Sequence, residues 1–421
     1  MLSDRLSEKA PAKTHGGASR ALAAWGLGGF VILGLPDGML GTAWPSMRHT
    51  FHQPLSSLGQ ILVCALVGNL STSVKTGALI RRFGVGKLLV FAGLIAAAGA
   101  ALIAFAPLWF MVLIGSVLLG AAAGLLDTGL NTVVALSGRL RLLNLLHGAY
   151  GVGSALGPLV ITVAILWTSF RPAYVLLIGL ELLLAYGWWR TGSHWLPKEP
   201  DPSSPADAVD APPSAVEPER PHMKLLIGLG VMVFFFYTGL EVTGGVWAAS
   251  FFRGPLGLSA AAAGPAVFVY WGSLTLARFA IAIPKQLPNP GTLVRIGCAG
   301  GLVASALIWW SPSVPVVIIA FAVMGATLAP VFPSLVTLTP VRIGNERAHH
   351  AIGWQIAAAN VGAAGISGLV GIILSHAGLR ALGPALLVIA VALVMCNAAL
   401  EVFSRPTSRL DRDPDVESEL A

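Results

Sequence analysis

Leu108-Trp-Phe-Met-Val-Leu-Ile-Gly-Ser-Val-Leu-Leu-Gly-Ala-Ala-Ala-Gly-Leu-Leu-Asp-Thr-Gly-Leu-Asn-Thr-Val-Val-Ala-Leu-Ser137 runs for 30 residues with a single charge, Asp127. About 20 apolar residues in a helix span the hydrocarbon core of a bilayer, so this stretch reads as a membrane span. Gly115, Gly120 and Gly124 recur within it. Small residues at such spacing let helix backbones approach where hydrophobicity cannot drive association.

The same kind of run recurs along the chain, twelve times in all. The first six lie near Ala21 to Trp44, Leu55 to Ile80, Leu88 to Ala106, Leu108 to Ser137, Leu143 to Ser169 and Pro172 to Trp189. The second six lie near Leu225 to Phe252, Ala260 to Ile283, Thr292 to Trp310, Val314 to Thr339, Ala348 to Ser375 and Leu382 to Phe403. Only 11% of the 421 residues are charged, against about 25% in a soluble domain. A soluble fold cannot hide that much apolar surface. The expected fold class is all-α and integral to the membrane, with twelve transmembrane helices in two pseudo-symmetric six-helix bundles.

The first 20 residues are polar and basic and the first apolar run is long enough to remain as a span, so no cleavable signal peptide is expected. Cys64, Cys298 and Cys396 each sit inside an apolar run and read as packing residues rather than disulfide or metal partners. The net charge of +7 does not point to nucleic acid, because Lys and Arg alternate sides between spans. One set of segments carries most of them, including Arg81, Arg82, Lys87, Arg139, Arg141, Arg190 and Lys224, whereas the opposite set holds only Arg48, Arg171, Arg253 and Arg380. The positive-inside rule therefore puts both termini in the cytoplasm, and the chain is expected in the cytoplasmic (inner) membrane.

Lys198 to Pro221 is rich in Pro, Ala, Ser, Asp and Glu and reads as a disordered cytoplasmic linker. The expected division is a tail at 1–20, an N-terminal bundle at 21–197, a linker at 198–222, a C-terminal bundle at 223–403 and a tail at 404–421. The halves match weakly: at an offset of 204, Phe30, Asp37 and Gly41 fall on Phe234, Glu241 and Gly245, and at 205 Gly120 meets Gly325. Parallel six-span repeats are a transporter architecture.

An ionisable group inside a span costs about 2.5–3.5 kcal/mol on insertion scales, so each invites a functional hypothesis. Asp127 and Asn131 lie four residues apart, on one helix face. A carboxyl beside an amide can exchange a proton and hydrogen-bond a polar solute; a structural pairing with a neighbouring helix is the competing reading. Asp37 follows Pro36 in Gly34-Leu-Pro-Asp-Gly-Met-Leu-Gly41, where Pro and Gly are expected to weaken the helix and expose backbone to a cavity. Glu241 is its counterpart, with Tyr237 one turn before and Gly244 and Gly245 one turn after. Proton-coupling candidates are thus Asp127, Asp37 and Glu241. An extracellular, water-touching position for Asp37 or Glu241 is the alternative.

In the fifth span Asn144, His147, Tyr150, Gly151 and Ser154 form a polar stripe. His147 is a proton relay or a neutral hydrogen-bonding residue. Trp354, Gln355 and Asn360 in the eleventh span, with Trp44, Trp247 and Trp271 in other runs, supply amides and aromatic faces that suit sugars; a Trp taken singly is better explained by packing or by the membrane interface. Substrate-binding candidates are Asn131, Asn144, His147, Tyr150, Tyr237, Trp247, Gln355 and Asn360. Lys75 and Arg278 lie within about 10 Å of the span ends at 1.5 Å per residue and are expected to snorkel. Glu181 is more central, with no partner to name.

No phosphate-binding Gly-rich loop, His-Glu-x-x-His or Gly-x-Ser-x-Gly element is present, so an enzyme or self-contained ATP-driven pump is the weaker class, and no cofactor or metal is expected.

From about Ala21 to Phe403 the chain resembles the major facilitator superfamily, and within it the fucose-galactose-glucose:proton symporter group. Asp127-Thr-Gly-Leu-Asn131 looks like that group's Glu-Thr-x-x-Asn element, Asp37 like its first-span acid, and Tyr237 to Trp247 is similar to a seventh-span signature of related carriers. Gly77-Ala-Leu-Ile-Arg-Arg-Phe-Gly84 resembles the superfamily's Gly-x-x-x-Asp-Arg-x-Gly loop with Arg81 in place of Asp, and the group's Asn-x-x-Gln-x-x-Asn appears as Asn144-x-x-His147-x-x-Tyr150. The resemblance implies the major facilitator fold and proton-coupled symport of a sugar or sugar-like solute by alternating access, by a chain functional as a monomer in the bilayer. Fucose itself is not implied, because its contacts are not reproduced. Export of amphipathic compounds is the rival expectation.

Overall fold

A computed structural model describes residues 15–136, 140–192, 222–282, 289–311 and 313–404; of the side chains at 15–23, 133–136, 140–144, 282, 345 and 349 nothing is described. Residues 1–14 and 405–421 of the expected tails and nearly all of the expected linker lie outside the described residues, whereas residues 15–20 of the expected N-terminal tail belong to the first helix.

The N-terminal half holds α1 (His15–Thr50), α2 (Leu58–Phe83), α3 (Val85–Ala104), α4 (Trp109–Leu136), α5 (Leu140–Trp167) and α6 (Arg171–Arg190). The C-terminal half holds α7 (Met223–Arg253), α8 (Ala260–Ala282), α9 (Pro290–Trp310), α10 (Val314–Leu328), α11 (Val331–Ile343), α12 (Asn345–Ala377) and α13 (Leu382–Ser404). Among the described residues, twelve helical segments are long and apolar enough to cross a membrane, as the sequence leads one to expect.

Two boundaries depart from the sequence reading, and proline explains both. The tenth span, Val314–Ile343, is broken at Ala329 and Pro330 into α10 and α11, because Pro330 has no N–H to continue the ladder. In the opposite sense, α1 runs unbroken through Pro36 and Pro45 to Thr50. The expected weakening at Gly34–Gly41 does not occur. Membrane helices tolerate proline where packing re-satisfies the freed backbone, and here Gly34 and Gly38 lie directly against the α5 backbone at Tyr150 and Ser154.

Between α2 and α3 a single residue makes the corner. Gly84 has φ 78°, a conformation open to glycine at little cost, which accounts for the last glycine of the Gly77–Gly84 loop.

Apart from α5 and α8, the halves meet on the side away from the chain ends. Gly41 of α1 packs on Val246 of α7, and Gly59 of α2 packs on Gly368 of α12, where an added methyl would sit 3.0 Å from the Gly368 Cα. A short 3-10 turn, Leu55–Ser57, lies beside this contact, with Ser56 next to Gly371. Helices α5 and α8 pack along most of their length, through Thr162 with Gly264, Gly151 with Thr275 and Gly148 with Phe279. The space between the halves therefore opens on the side that carries the chain ends.

A valine at position 38 would overlap the Ser154 backbone, whereas Gly228 has open space around it. Gly38→Val is expected to cost about 2 kcal/mol and to lower the thermal unfolding midpoint in detergent, while Gly228→Val leaves the midpoint unchanged.

Candidate functional site

Asp37 is exposed although it lies mid-way along a central helix, so it faces the space between the halves. The Tyr150 hydroxyl of α5 donates to its carboxylate. Gly41, where α1 closes on α7, is one turn further along. Glu241 stands in the matching place, one turn before Gly245, which borders the same contact. Both acids thus lie directly beneath the point where the halves touch.

Glu241 has a denser set of partners. The Tyr237 hydroxyl, one turn earlier, donates to its Oε2. Arg278 of α8 approaches its Oε1 at 3.5 Å, and the Tyr270 hydroxyl donates to its backbone carbonyl at 2.6 Å. Arg278 also lies within electrostatic reach of Tyr237, Tyr150 and His147. Arg278, paired with Glu241, and Tyr150, bonded to Asp37, thus stand on the two helices that meet at the α5–α8 interface.

This corrects the expectation that Arg278 snorkels to the span end. Its side chain is only 22% exposed and that of Glu241 only 12%. An arginine near the end of a span can reach water or a buried acid, and Glu241 supplies the acid. Distance along the helix carried no information about which face Arg278 occupies. Lys75, by contrast, is exposed.

The third acid forms its own pair. Asn131 donates its amide to Asp127 Oδ1 at 3.0 Å, and its own Oδ1 is buried without a partner among the described residues. His147 is exposed, lies within electrostatic reach of Asp127, and sets its ring edge-on to Phe30 at 5.7 Å. His147 is thus within electrostatic reach of both Asp127 and Arg278.

Other candidates stand apart. Tyr237 belongs to the Glu241 cluster. Gln355 is buried within the C-terminal half, where its amide oxygen accepts from Thr339 of α11 at 3.0 Å. Trp247 is fully buried where α7 meets α12, its indole N–H donating to the Ser367 carbonyl at 3.0 Å. Asn360 is half-buried on α12 and makes no hydrogen bond among the described residues. The Asn144 side chain lies outside the described residues. Glu181 is buried on the face of α6 that packs on α3, its Oε2 unpartnered among the described residues, and does not face the space between the halves.

Comparison with known proteins agrees with this architecture. The profile of the Major Facilitator Superfamily matches residues 26–366. The chain belongs to that superfamily of membrane transporters. It is 24% identical over 342 residues to the Sodium-dependent glucose transporter 1A of Mus musculus, covering 72% of this chain and 79% of that protein. It is 26% identical over 338 residues to the Sodium-dependent glucose transporter 1 of Homo sapiens, covering 72% of this chain and 64%, just under two thirds, of the human protein.

Solved structures share the fold at low identity. A point mutant of the nucleoside transporter NupG superposes with a TM-score of 0.70 at 14% identity, over 91% of this chain and 100% of that one. A bacterial homolog of the human lysosomal transporter Spinster, in an inward-facing and unoccupied conformation, superposes at 0.68 and 14% identity, over 93% of this chain and 98% of that one.

Removing the cation from a desolvated pair leaves an uncompensated charge, which costs more than the pair contributes. With both groups partly exposed, Arg278→Gln is expected to lower stability by about 2 kcal/mol. Adding Glu241→Gln should restore part of the loss; additivity of the two substitutions in thermal unfolding would show that the groups are not coupled.

Proposed function

We propose that this transporter carries a sugar or sugar-like polar solute together with a proton, by alternating access of its two halves. The observation that supports it most is the polar cluster beneath the closed contact: Asp37 with Tyr150, and Glu241 with Tyr237 and Arg278, beside Asp127, Asn131 and His147. Hydroxyls and amides give directional partners to sugar hydroxyls, and the Tyr and His rings give faces for their C–H surfaces. The names of the two glucose-transporting relatives support the same substrate class. A polar cluster of this kind counts against export of amphipathic compounds.

In this reading Asp127 is the coupling acid, with Asp37 or Glu241 sharing that role. Closing the open side would transfer the cluster into a low-dielectric interior, where an ionised carboxylate without a cation is disfavoured. A proton on Asp127 removes that charge, and solute bound by Asn131, Tyr150 and His147 completes the hydrogen bonds. The form loaded with both can then cross, whereas solute bound with Asp127 still ionised does not. The distribution of Lys and Arg supports cytoplasmic termini in an inner membrane, which makes the described conformation open to the cytoplasm. The transporter acts as a monomer.

A second reading, sodium in place of the proton, is favoured by the relatives' printed names. In proteoliposomes, an inward pH gradient at equal sodium is expected to accumulate a labelled hexose, and Asp127→Asn to abolish accumulation while keeping hexose exchange. Full accumulation by Asp127→Asn would falsify the role of Asp127. Accumulation driven by sodium at equal pH would establish the second reading. Absence of any hexose flux, with amphipathic compounds moved instead, would overturn the substrate class.

A further inference from the structure

On the lipid-facing side of the N-terminal half, far from the central cluster, the ends of α3 and α5 and the start of α6 enclose a groove of about 830 Å³. Its walls are apolar: Phe105, Trp167, Val175, Leu176 and Leu180. Its polar groups are gathered at one end, where Arg171, Thr168 and Ser169 stand. That end lies at the edge of the spans, since α3 stops at Ala104, α5 at Trp167, and α6 begins at Arg171. Trp167 is 77% exposed there, as befits an aromatic residue at headgroup level.

We infer that the groove seats one phospholipid of the bilayer, with an acyl chain along α6 and its phosphate at Arg171. Three observations carry this. The first is length. The groove follows α6 from Arg171 to Leu180, about 13 Å at 1.5 Å per residue, and one leaflet contributes about 15 Å of hydrocarbon. A single acyl chain therefore fits its long dimension.

The second is charge. Arg171 donates to the carbonyls of Ala104 and Ala106, both at 2.8 Å, and no carboxylate is paired with it among the described residues. A guanidinium has five N–H donors, so donors remain, and the two carbonyls hold the group in place without cancelling its charge. A phosphate at the headgroup level is the complementary partner.

The third is the floor. Gly179 lies in the groove wall on α6, and a Cβ built there meets nothing within 4 Å. Most of the glycines on α1 and α5, by contrast, lie against a neighbouring backbone or side chain. The open space at Gly179 is the room that a chain methylene would fill.

The same geometry supplies a test that leaves the protein's own packing alone. Gly179→Phe adds a ring at a position whose Cβ has open space within 4 Å, and Val388→Phe adds the same bulk at an exposed site on α13. Full-length protein in mild detergent is titrated with phosphatidylglycerol, or with diacylglycerol of the same chains, and retained lipid is counted by native mass spectrometry. The wild type and Val388→Phe are expected to retain one phosphatidylglycerol in preference to diacylglycerol. Gly179→Phe is expected to weaken retention at least about ten-fold, the effect of excluding a few methylenes. Arg171→Gln, which removes the positive charge, is expected to abolish the preference for the phosphate.

Retention by Gly179→Phe equal to the wild type would overturn the groove as the seat. An unchanged preference in Arg171→Gln would overturn the role of Arg171. Should Arg171→Gln not fold, Gly179→Phe still decides the seat. A dimer of the wild type that Gly179→Phe disperses would show that a second copy, not a lipid, covers the groove. None of these outcomes depends on the transported solute.

Discussion

Carboxylates and guanidinium groups inside a bilayer have few places to go, and the pair of Glu241 and Arg278 shows where this chain puts them. Both side chains are largely buried, so each needs the other, at 3.5 Å. Tyr237 fills the remaining acceptor of Glu241, and Tyr270 ties down its backbone. Because Arg278 stands on α8 where that helix packs on α5, the pair sits on the seam between the halves. The central cluster, the long α5–α8 contact and the opening on one side all refer to this point.

The duplicated acids then take different solutions to one problem. Asp37 and Glu241 occupy matching places, each one turn from a glycine where α1 meets α7. Glu241 has a cation; Asp37 has the Tyr150 hydroxyl and the solvent of the open space. An acid with only a hydroxyl and water for company loses one of them when the space closes. The asymmetry between the halves is therefore electrostatic, within a backbone that keeps the repeat.

At the periphery the same rule has other outcomes. Arg171 is satisfied by two carbonyls at the end of α3, whereas the Glu181 carboxyl keeps an unpartnered oxygen between α6 and α3. The first leaves a fixed positive charge at one end of the groove. The second has no partner among the described residues.

Local chemistry was enough for the spans, because an apolar run of fixed length has one stable place in a bilayer, and enough to single out Asp37, Asp127 and Glu241, because the membrane excludes charge. The pairing of Asp127 with Asn131 was also legible, since four residues make one turn of the same helix. Which way Arg278, Gln355 and Trp247 point was not, because a helix offers every direction around its axis and only neighbouring helices choose among them. Those neighbours turned Arg278 inward to Glu241, bound Gln355 to Thr339 and sealed Trp247 against Ser367. Sequence alone determined that this chain crosses the membrane and carries acids within it. Only the tertiary structure decided which of them meet, because pairing depends on helices far apart in sequence sharing one seam.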